Sequence, residues 1–410
     1  MTVLVFNRKR LLDRPLHRWL ADSRSRVVLV TSRESLDGHP VASLRERYRH
    51  VEPVETYEAC SVETRAAELA ERYAVRRIAS ASEDDVLRAA RLRHRLGLPG
   101  QQPESAVAYR DKLRMKELVR AAGLATPAFA PVRDGLDLLA FVDRHGLPVV
   151  VKPRRGSGSV DVHILRDQTA VARLLGSGAL PVAPARPDEW MVERFVDGTF
   201  HHVDGITAGG RVLHCWASRY SSGNAESLQR CAPWYSRLLG ADDPRRRVLQ
   251  EFAARVHAAL PAPPCPTSFH LEAWLDAADR PVLCEVACRA GGALVVPGYE
   301  AAFGVSLSAE SLRGQAGDRV SLDSQPAHPR IHTGWMIVPP REGVLELLGD
   351  GRPTRGTTVT FHVRPGERSG PAEYAGQAAI AALVTGAAPA EVDERLAEVG
   401  RWCSERVRWR

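Results

Sequence analysis

Along the first hundred residues the apolar positions change their spacing from one segment to the next. Val3–Phe6 and Val27–Thr31 are short unbroken apolar runs, the pattern of strands covered on both faces. Ser61–Tyr73 and Ser82–Leu96 instead carry apolar residues at helical spacing, and Arg77–Ala81 reads as another strand. Ser82 stands as an N-cap, with acids in the turn after it. This alternation predicts a small parallel α/β domain over 1–105. No Gly-x-Gly-x-x-Gly follows the first strand, which argues against a dinucleotide site there. Pro99-Gly100-Gln-Gln-Pro103 then breaks the pattern and marks a boundary.

Beyond it the pattern predicts a helix over Asp111–Ala122, a strand near Ala128–Val132 and a helix through Leu136–His145. A buried strand over 147–152, a glycine-bearing turn and a strand at Trp190–Val196 complete a unit over 106–196. Strand patterns dominate 197–340. From 341 to 410 we expect a C-terminal α/β extension, with a strand at Thr357–Val363 and helices at Pro371–Val384 and Ala390–Arg406. A chain of 410 residues is long enough for several cores, in agreement with this division.

Composition narrows the function classes. Hydrophobic residues make up 44% and charged residues 26%, ordinary for a globular protein. The net charge of +7 (56 basic less 49 acidic) is spread along helical segments between acids. That favours an anionic small substrate over nucleic acid, which demands clustered charge. No segment approaches the roughly 20 apolar residues that cross a bilayer. The N-terminal residues read as a strand and not as a charged leader, and seven cysteines without a Cys-x-x-Cys pair point to free thiols. A cytoplasmic protein with no membrane and no nucleic-acid partner is the expectation.

One segment concentrates the chemistry. In Ser268–Arg289, alternation puts His270, Glu272 and Trp274 on one strand face, and Leu283, Glu285, Ala287 and Arg289 on one face of the next. With Ala277–Arg280 as a four-residue hairpin loop, Leu275 faces Val282, Trp274 faces Leu283 and Glu272 lies opposite Glu285. Like charges paired across strands destabilise a sheet, the more so when desolvated. A shared proton, an arginine or a divalent cation would relieve the pair, and two carboxylates suit Mg²⁺. Arg289, on the same face, serves an ion pair or a developing anion. A register one residue off, with one glutamate exposed and the other paired to Arg289, is the alternative.

Lysine usage adds a second signal. The chain has only four lysines against fifty-two arginines, and Lys112, Lys116 and Lys152 fall in two short stretches. Arginine and lysine interchange on a solvated surface but not where a compact ammonium is required. Lys152 ends a buried apolar run and precedes Pro153-Arg-Arg-Gly-Ser-Gly-Ser159, whose glycines let backbone N–H groups approach an anion. No Gly-Lys-Ser/Thr is present, so this is not a Walker A loop. Met191–Val196 has the apolar pattern to flank an adenine.

In order and spacing, these pieces resemble an ATP-grasp enzyme of the carboxylate–amine ligase type, similar to L-amino acid ligases. The matching motifs are Tyr109-Arg-Asp-Lys112, Val151-Lys-Pro153 with its Gly/Ser loop, Val192-Glu-Arg-Phe-Val196, His202-Val-Asp-Gly205, and His270-Leu-Glu272 with Glu285–Arg289. They cover most of the chain, most weakly before residue 75 and after 340. The resemblance implies a mixed α/β and α+β ATP-grasp fold. A Rossmann-like pre-ATP-grasp domain would occupy 1–105, a lid subdomain 106–196 and a metal-bearing large subdomain 197–340.

It also implies ATP and Mg²⁺, or Mn²⁺, as cofactors. Lys112 and Lys152 would contact ATP phosphates under the Ser157-Gly158-Ser159 loop. Glu193, Arg194 and Val196 would form the adenine hinge, mostly through backbone. Glu272 and Glu285 would hold the metal, and Arg289 would stabilise the transferring group. Two positions depart from the family pattern. Many members have Glu-x-Asn where this chain has Glu285-Val-Ala287, and Thr199-Phe200 replaces the acid expected for the ribose, leaving His202 or Asp204 to compensate.

The implied reaction passes a carboxylate through an acyl phosphate to an amide, with ADP and phosphate released. Its partners are a small-molecule carboxylate and an amine, and a homodimer is compatible with it. Arg219 offers a guanidinium fork for a substrate carboxylate, with a surface ion pair as the other reading. His270 would position phosphate or accept the amine proton, or serve structurally. Lid candidates are the Gly/Ser loop and the segment 221–236. Two other functions stay open: bicarbonate activation, as in biotin- or purine-type carboxylases, and a nucleotide-binding module without catalysis.

Overall fold

The computed structural model describes residues 1–410 except 22–25, 181–188, 322–324, 350–352 and 354. The N-terminal alternation folds as a parallel sheet of β1 (Thr2–Asn7), β2 (Val27–Ser32), β3 (His50–Val54) and β4 (Val75–Ser80), in the order β3-β2-β1-β4. Successive β1 residues enter opposite cores. Val3 and Val5 pack with Leu16 and Leu20, whereas Leu4 and Phe6 pack with Leu69 and Ile78. Burial on both faces is why the run is unbroken. The sequence pattern missed β3, where a proline and a charge interrupt an edge strand. Ser82 makes no side-chain cap bond; a 3₁₀ turn over Glu83–Asp85 precedes the helix Val86–Arg95.

The second sheet joins β5 (Phe129–Val132), β6 (Val149–Pro153), β7 (His163–Leu165) and β8 (Trp190–Arg194), antiparallel in the order β5-β8-β6-β7. Helices Gly135–His145 and Gln168–Gly176 cover one face through Leu138, Phe141, Val171 and Leu174. Each opens on an aspartate, Asp134 or Asp167, whose carboxylate accepts from backbone N–H groups of the first turn.

The largest sheet begins with β9 (Thr199–Ala208), β10 (Arg211–Tyr220), β11 (Trp234–Leu238), β12 (Thr267–Leu275), β13 (Pro281–Ala287) and β14 (His332–Val338). After them come β15 (Gly343–Leu347), β16 (Thr357–Phe361), β17 (Arg368–Ser369), β18 (Ile380–Gly386) and β19 (Val407–Trp409). Among the described residues eight strands join in the order β13-β12-β9-β10-β11-β14-β18-β16, and β17-β15-β19 form a small sheet. The helix Pro244–Ala259 lays Leu249, Phe252 and Val256 against Val203, Phe269 and Leu271.

Two expectations fail here. Pro371–Val384 is not a helix: its second half is β18, paired to β14 and β16. An apolar run of that length has no period that separates strand from helix, and its partners lie elsewhere in the chain. The boundary at 340/341 also falls inside one structural unit, because β16 and β18 complete the large sheet.

Candidate active site

The three sheets meet around a cavity of about 1350 Å³, lined by Lys112, Lys152, Glu193, His270, Glu272, Glu285 and Arg289 among others. β12 and β13 form one edge of the large sheet, and Glu272 pairs directly with Glu285. The route to that pairing differs from the expected one. Leu275 pairs with Pro281 and Trp274 with Val282, so the hairpin leaves its turn one residue out of the expected register. A bulge between Ala273 and Glu272, with Cys284 as the extra residue, then restores the pair. Asp276 sets the turn, accepting from the backbone N–H groups of Ala278 and Arg280, both at 2.9 Å.

Lys116 holds the bulge. Its Nζ donates to the carbonyls of Leu283 and Cys284 at 2.9 and 2.7 Å. The same ammonium lies 3.2 Å from Glu193, which also accepts from Lys152 at 2.7 Å. All three side chains are buried. Burial alone would raise the Glu193 pKa, but Lys116 and Lys152 outweigh it and hold the carboxyl below its usual value. Burial lowers Lys116 itself. For Lys152, burial works in the same direction, yet the carboxylates around it win and raise its pKa.

Lys112 begins the helix Lys112–Ala121, capped by Asp111, whose carboxylate also accepts from Arg154 at 2.8 and 3.0 Å. The cap ties the helix start to the Gly/Ser loop. Lys112 Nζ therefore donates to the Gly156 carbonyl at 2.7 Å and sits 3.1 Å from Glu285. Ser157, Gly158 and Ser159 line the cavity. Gly158 has φ +63°, and a Cβ there would stand 3.1 Å from Tyr374. Its carbonyl accepts from Ala375 N at 2.8 Å, while the Ala375 carbonyl accepts from Trp234 Nε1 at 3.1 Å. One peptide of the C-terminal segment thus fastens the loop to the large sheet.

Glu193, Arg194 and Val196 line the cavity beside Val150 and Ile164, an apolar slot with backbone polar groups at its edge. The Glu193 carboxylate is committed to the two lysines. Arg219 lines the cavity, and no ion pair to it occurs among the described residues. Trp234 and Trp335 line the cavity, as do Phe200, Tyr220 and Trp274, whereas Trp216 is core and donates to the Leu239 carbonyl at 2.9 Å.

His202 does not line the cavity. It is one link in a buried chain: Ser236 and Asp204 bond its two ring nitrogens, and Asp204 accepts from His270 Nδ1 at 2.8 Å. His270 Nε2 then lies 3.5 Å from Glu272, which accepts from Asn224 at 2.8 Å. Ligand atoms of His202, Asp204 and His270 come within 4.8 Å of one another, but both Nδ1 atoms are spent on Asp204. The donor set open to a cation is instead the all-oxygen pair of Glu272 and Glu285, which fits a hard ion such as Mg²⁺. Burial alone would lower the His270 pKa, but Asp204 and Glu272 raise it to about 9. Both carboxylates therefore favour the protonated ring.

Arg289 lines the cavity and pairs with Glu83, which also binds Arg110. Burial opposes ionisation of Glu83, yet Arg289 and Arg110 bring its pKa down to about 2. Sequence reasoning missed Glu83, Asn224 and the role of Lys116. Only Lys116 had a signal, its place among four lysines.

No family model matches the chain. It is similar to the L-arginine-specific L-amino acid ligase of Bacillus subtilis, 25% identical over 270 residues that cover 66% of this chain and 64% of that one. The chain spans about half to two thirds of the length of the curated relatives it matches first, at 64%, 59% and 47%. In structure it is similar to an L-amino acid ligase from Bacillus licheniformis, with TM-score 0.75, 16% identity and coverage of 100% of this chain and 99% of that one. It also resembles the biotin carboxylase domain of the Hydrogenobacter thermophilus 2-oxoglutarate carboxylase, solved with MgADP and bicarbonate. That TM-score is 0.68 at 16% identity, covering 96% of this chain and 88% of that one.

Proposed function

We propose that the chain is an ATP-grasp protein and, on that scaffold, an ATP-dependent ligase that joins a carboxylate, an amino acid, to an amine; the likeness to L-amino acid ligases in sequence and in fold supports this. One observation carries the reading: Glu272 and Glu285 face Lys112 and Lys152 within one cavity, with Arg289 beside them. A substrate carboxylate oxygen attacks the γ-phosphorus of ATP, the bond to the β–γ bridging oxygen breaks, and ADP leaves. The amine then attacks the acyl carbon, the C–O bond to phosphate breaks, and an amide remains.

Phosphoryl transfer asks the protein chiefly for positioning and charge neutralisation. Lys112 and Lys152 supply positive charge for the phosphates, and Glu193 fixes where Lys152 sits. Glu272 and Glu285 would hold Mg²⁺, which when bound neutralises phosphate oxygens. Arg289 presents a guanidinium to the acyl phosphate, and the His270 imidazolium adds a second cation. The amine proton leaves with the departing phosphate, whose oxygens are the basic groups at the acyl carbon. Acyl phosphates hydrolyse, so water must be kept out. The Gly158–Ala375–Trp234 fastening would hold the Gly/Ser loop in place as a cover.

All seven cysteines are free, which supports a reducing, cytoplasmic setting. No described helix is long and apolar enough to cross a membrane. The test is nucleotide release across acid–amine pairs. We expect ADP, not AMP, formed only when an acid and an amine are both present, in step with amide. Bicarbonate-dependent ADP release without an acid would favour the carboxylase reading, and no release from any pair would defeat the proposal.

A further inference from the structure

The fourth lysine of this arginine-rich chain, Lys9, belongs to the same cavity. It follows β1 in the N-terminal domain, far in sequence from the other three, yet it lines the same cavity together with Arg14. All four lysines therefore lie in or directly behind one site. A chain that uses arginine at fifty-two other basic positions keeps lysine only here.

The wall that Lys9 and Arg14 form is held in place and carries excess positive charge. Arg14 is half-buried, and its Nη1 donates to the carbonyl of Ala81, itself a lining residue just past β4. No carboxylate lies within 4.0 Å of Arg14 among the described residues, although Asp13 is its chain neighbour. The two acids on this wall are committed. Glu83 serves Arg110 and Arg289, and Asp84 lies 3.6 Å from Arg8 and 4.0 Å from Arg110. Burial and the charge of Arg289 both lower the Arg14 pKa, the mark of a cation without a counter-ion. Arg289 lines the same cavity; Glu272 and Glu285 act on it favourably, and it in turn repels Arg14 and Lys9.

We propose that Lys9 and Arg14 form a subsite for a second carboxylate on the acid that is activated beside Arg289. The donor would be a dicarboxylic acid or an acidic amino acid. One carboxylate is placed at Glu272, Glu285 and Arg289 for phosphorylation. The other is bound against the N-terminal domain, where Arg14 and Lys9 line the cavity with no carboxylate within 4.0 Å of either among the described residues. A neutral or cationic side chain there would leave two cations facing each other without compensation. This assignment rests on the ligase reading above, since it names the substrate class of that same site.

The test separates the two. Binding of glutarate and of butyrate is measured calorimetrically on the full chain with MgADP present, for wild type, Lys9→Gln and the double variant Lys9→Gln/Arg14→Gln. Wild type should bind glutarate at least about tenfold more tightly than butyrate, the scale of one hydrogen bond to a charged group. Lys9→Gln should reduce that preference and the double variant remove it, with ADP binding unchanged in both. Lys9 is exposed, so its variant should fold even if removal of Arg14 disturbs the wall. Equal binding of the two acids by wild type, or a preference that survives both substitutions, would overturn the subsite. Selective glutarate binding without phosphate release from any acid–amine pair would leave the subsite standing and defeat the ligase reading.

Discussion

Replacing Glu285 by glutamine is expected to lower kcat by about 10²- to 10³-fold, because several kcal/mol of metal stabilisation is lost at 1.36 kcal/mol per decade. The amide keeps the shape but presents one neutral oxygen where a carboxylate faced Glu272. The fold should persist, since the substitution also removes an uncomfortable like-charge pair from neighbouring strands. Lys112 loses its partner at 3.1 Å but keeps the Gly156 carbonyl, so it remains near the Gly/Ser loop. The defect should therefore fall on kcat and on the Mg²⁺ concentration required, and much less on the KM for ATP. Turnover at the wild-type rate with an unchanged Mg²⁺ requirement would remove Glu285 from the metal site.

Glu193→Gln is expected to have the largest effect on stability. The carboxylate lies between two buried ammoniums, at 2.7 Å from Lys152 and 3.2 Å from Lys116. Removing one partner of a buried ion pair costs about 3–5 kcal/mol, because the remaining charge is left without compensation. Here two charges lose the same partner, and deprotonation of Lys116 is the cheaper relief, since burial already depresses its pKa. A neutral Lys116 would hold the Leu283 and Cys284 carbonyls less firmly, and the bulge that sets Glu285 opposite Glu272 would loosen. We expect an unfolding midpoint in urea well below that of the wild type, with reduced turnover in the variant that remains folded. A midpoint equal to the wild type's would show that the three side chains do not share charge in solution.

The two glutamates were legible because a strand repeats every second residue, so their shared face follows from spacing alone. The turn was misread by one position, and the bulge at Cys284 cancelled that error. No alternation pattern carries a bulge, and here it is enforced by Lys116, 167 and 168 residues away in the chain. That Lys112 and Lys152 share one cavity was legible through the scarcity of lysine. Glu83 was not, because its partner Arg289 lies 206 residues further along and only tertiary packing joins them. His202 and Asp204 share a strand face with the site, and β9 does pair them with Glu272 and His270. Spacing could not show that the His202 ring turns to Ser236 on β11 and supports the cavity from behind. β18 was misread as helix because a short apolar run shows its strand character only beside β14 and β16. Elements with a local period were legible, whereas those defined by distant partners were not.

The most direct measurement is isotope transfer during single turnovers, with ¹⁸O in both oxygens of a carboxylate that supports ADP release. Passage through an acyl phosphate moves one labelled oxygen to phosphorus, so each inorganic phosphate released should carry one ¹⁸O and the amide should retain the other. Phosphate released without label while amide forms would contradict the account, because the carboxylate would then never have attacked the γ-phosphate of ATP.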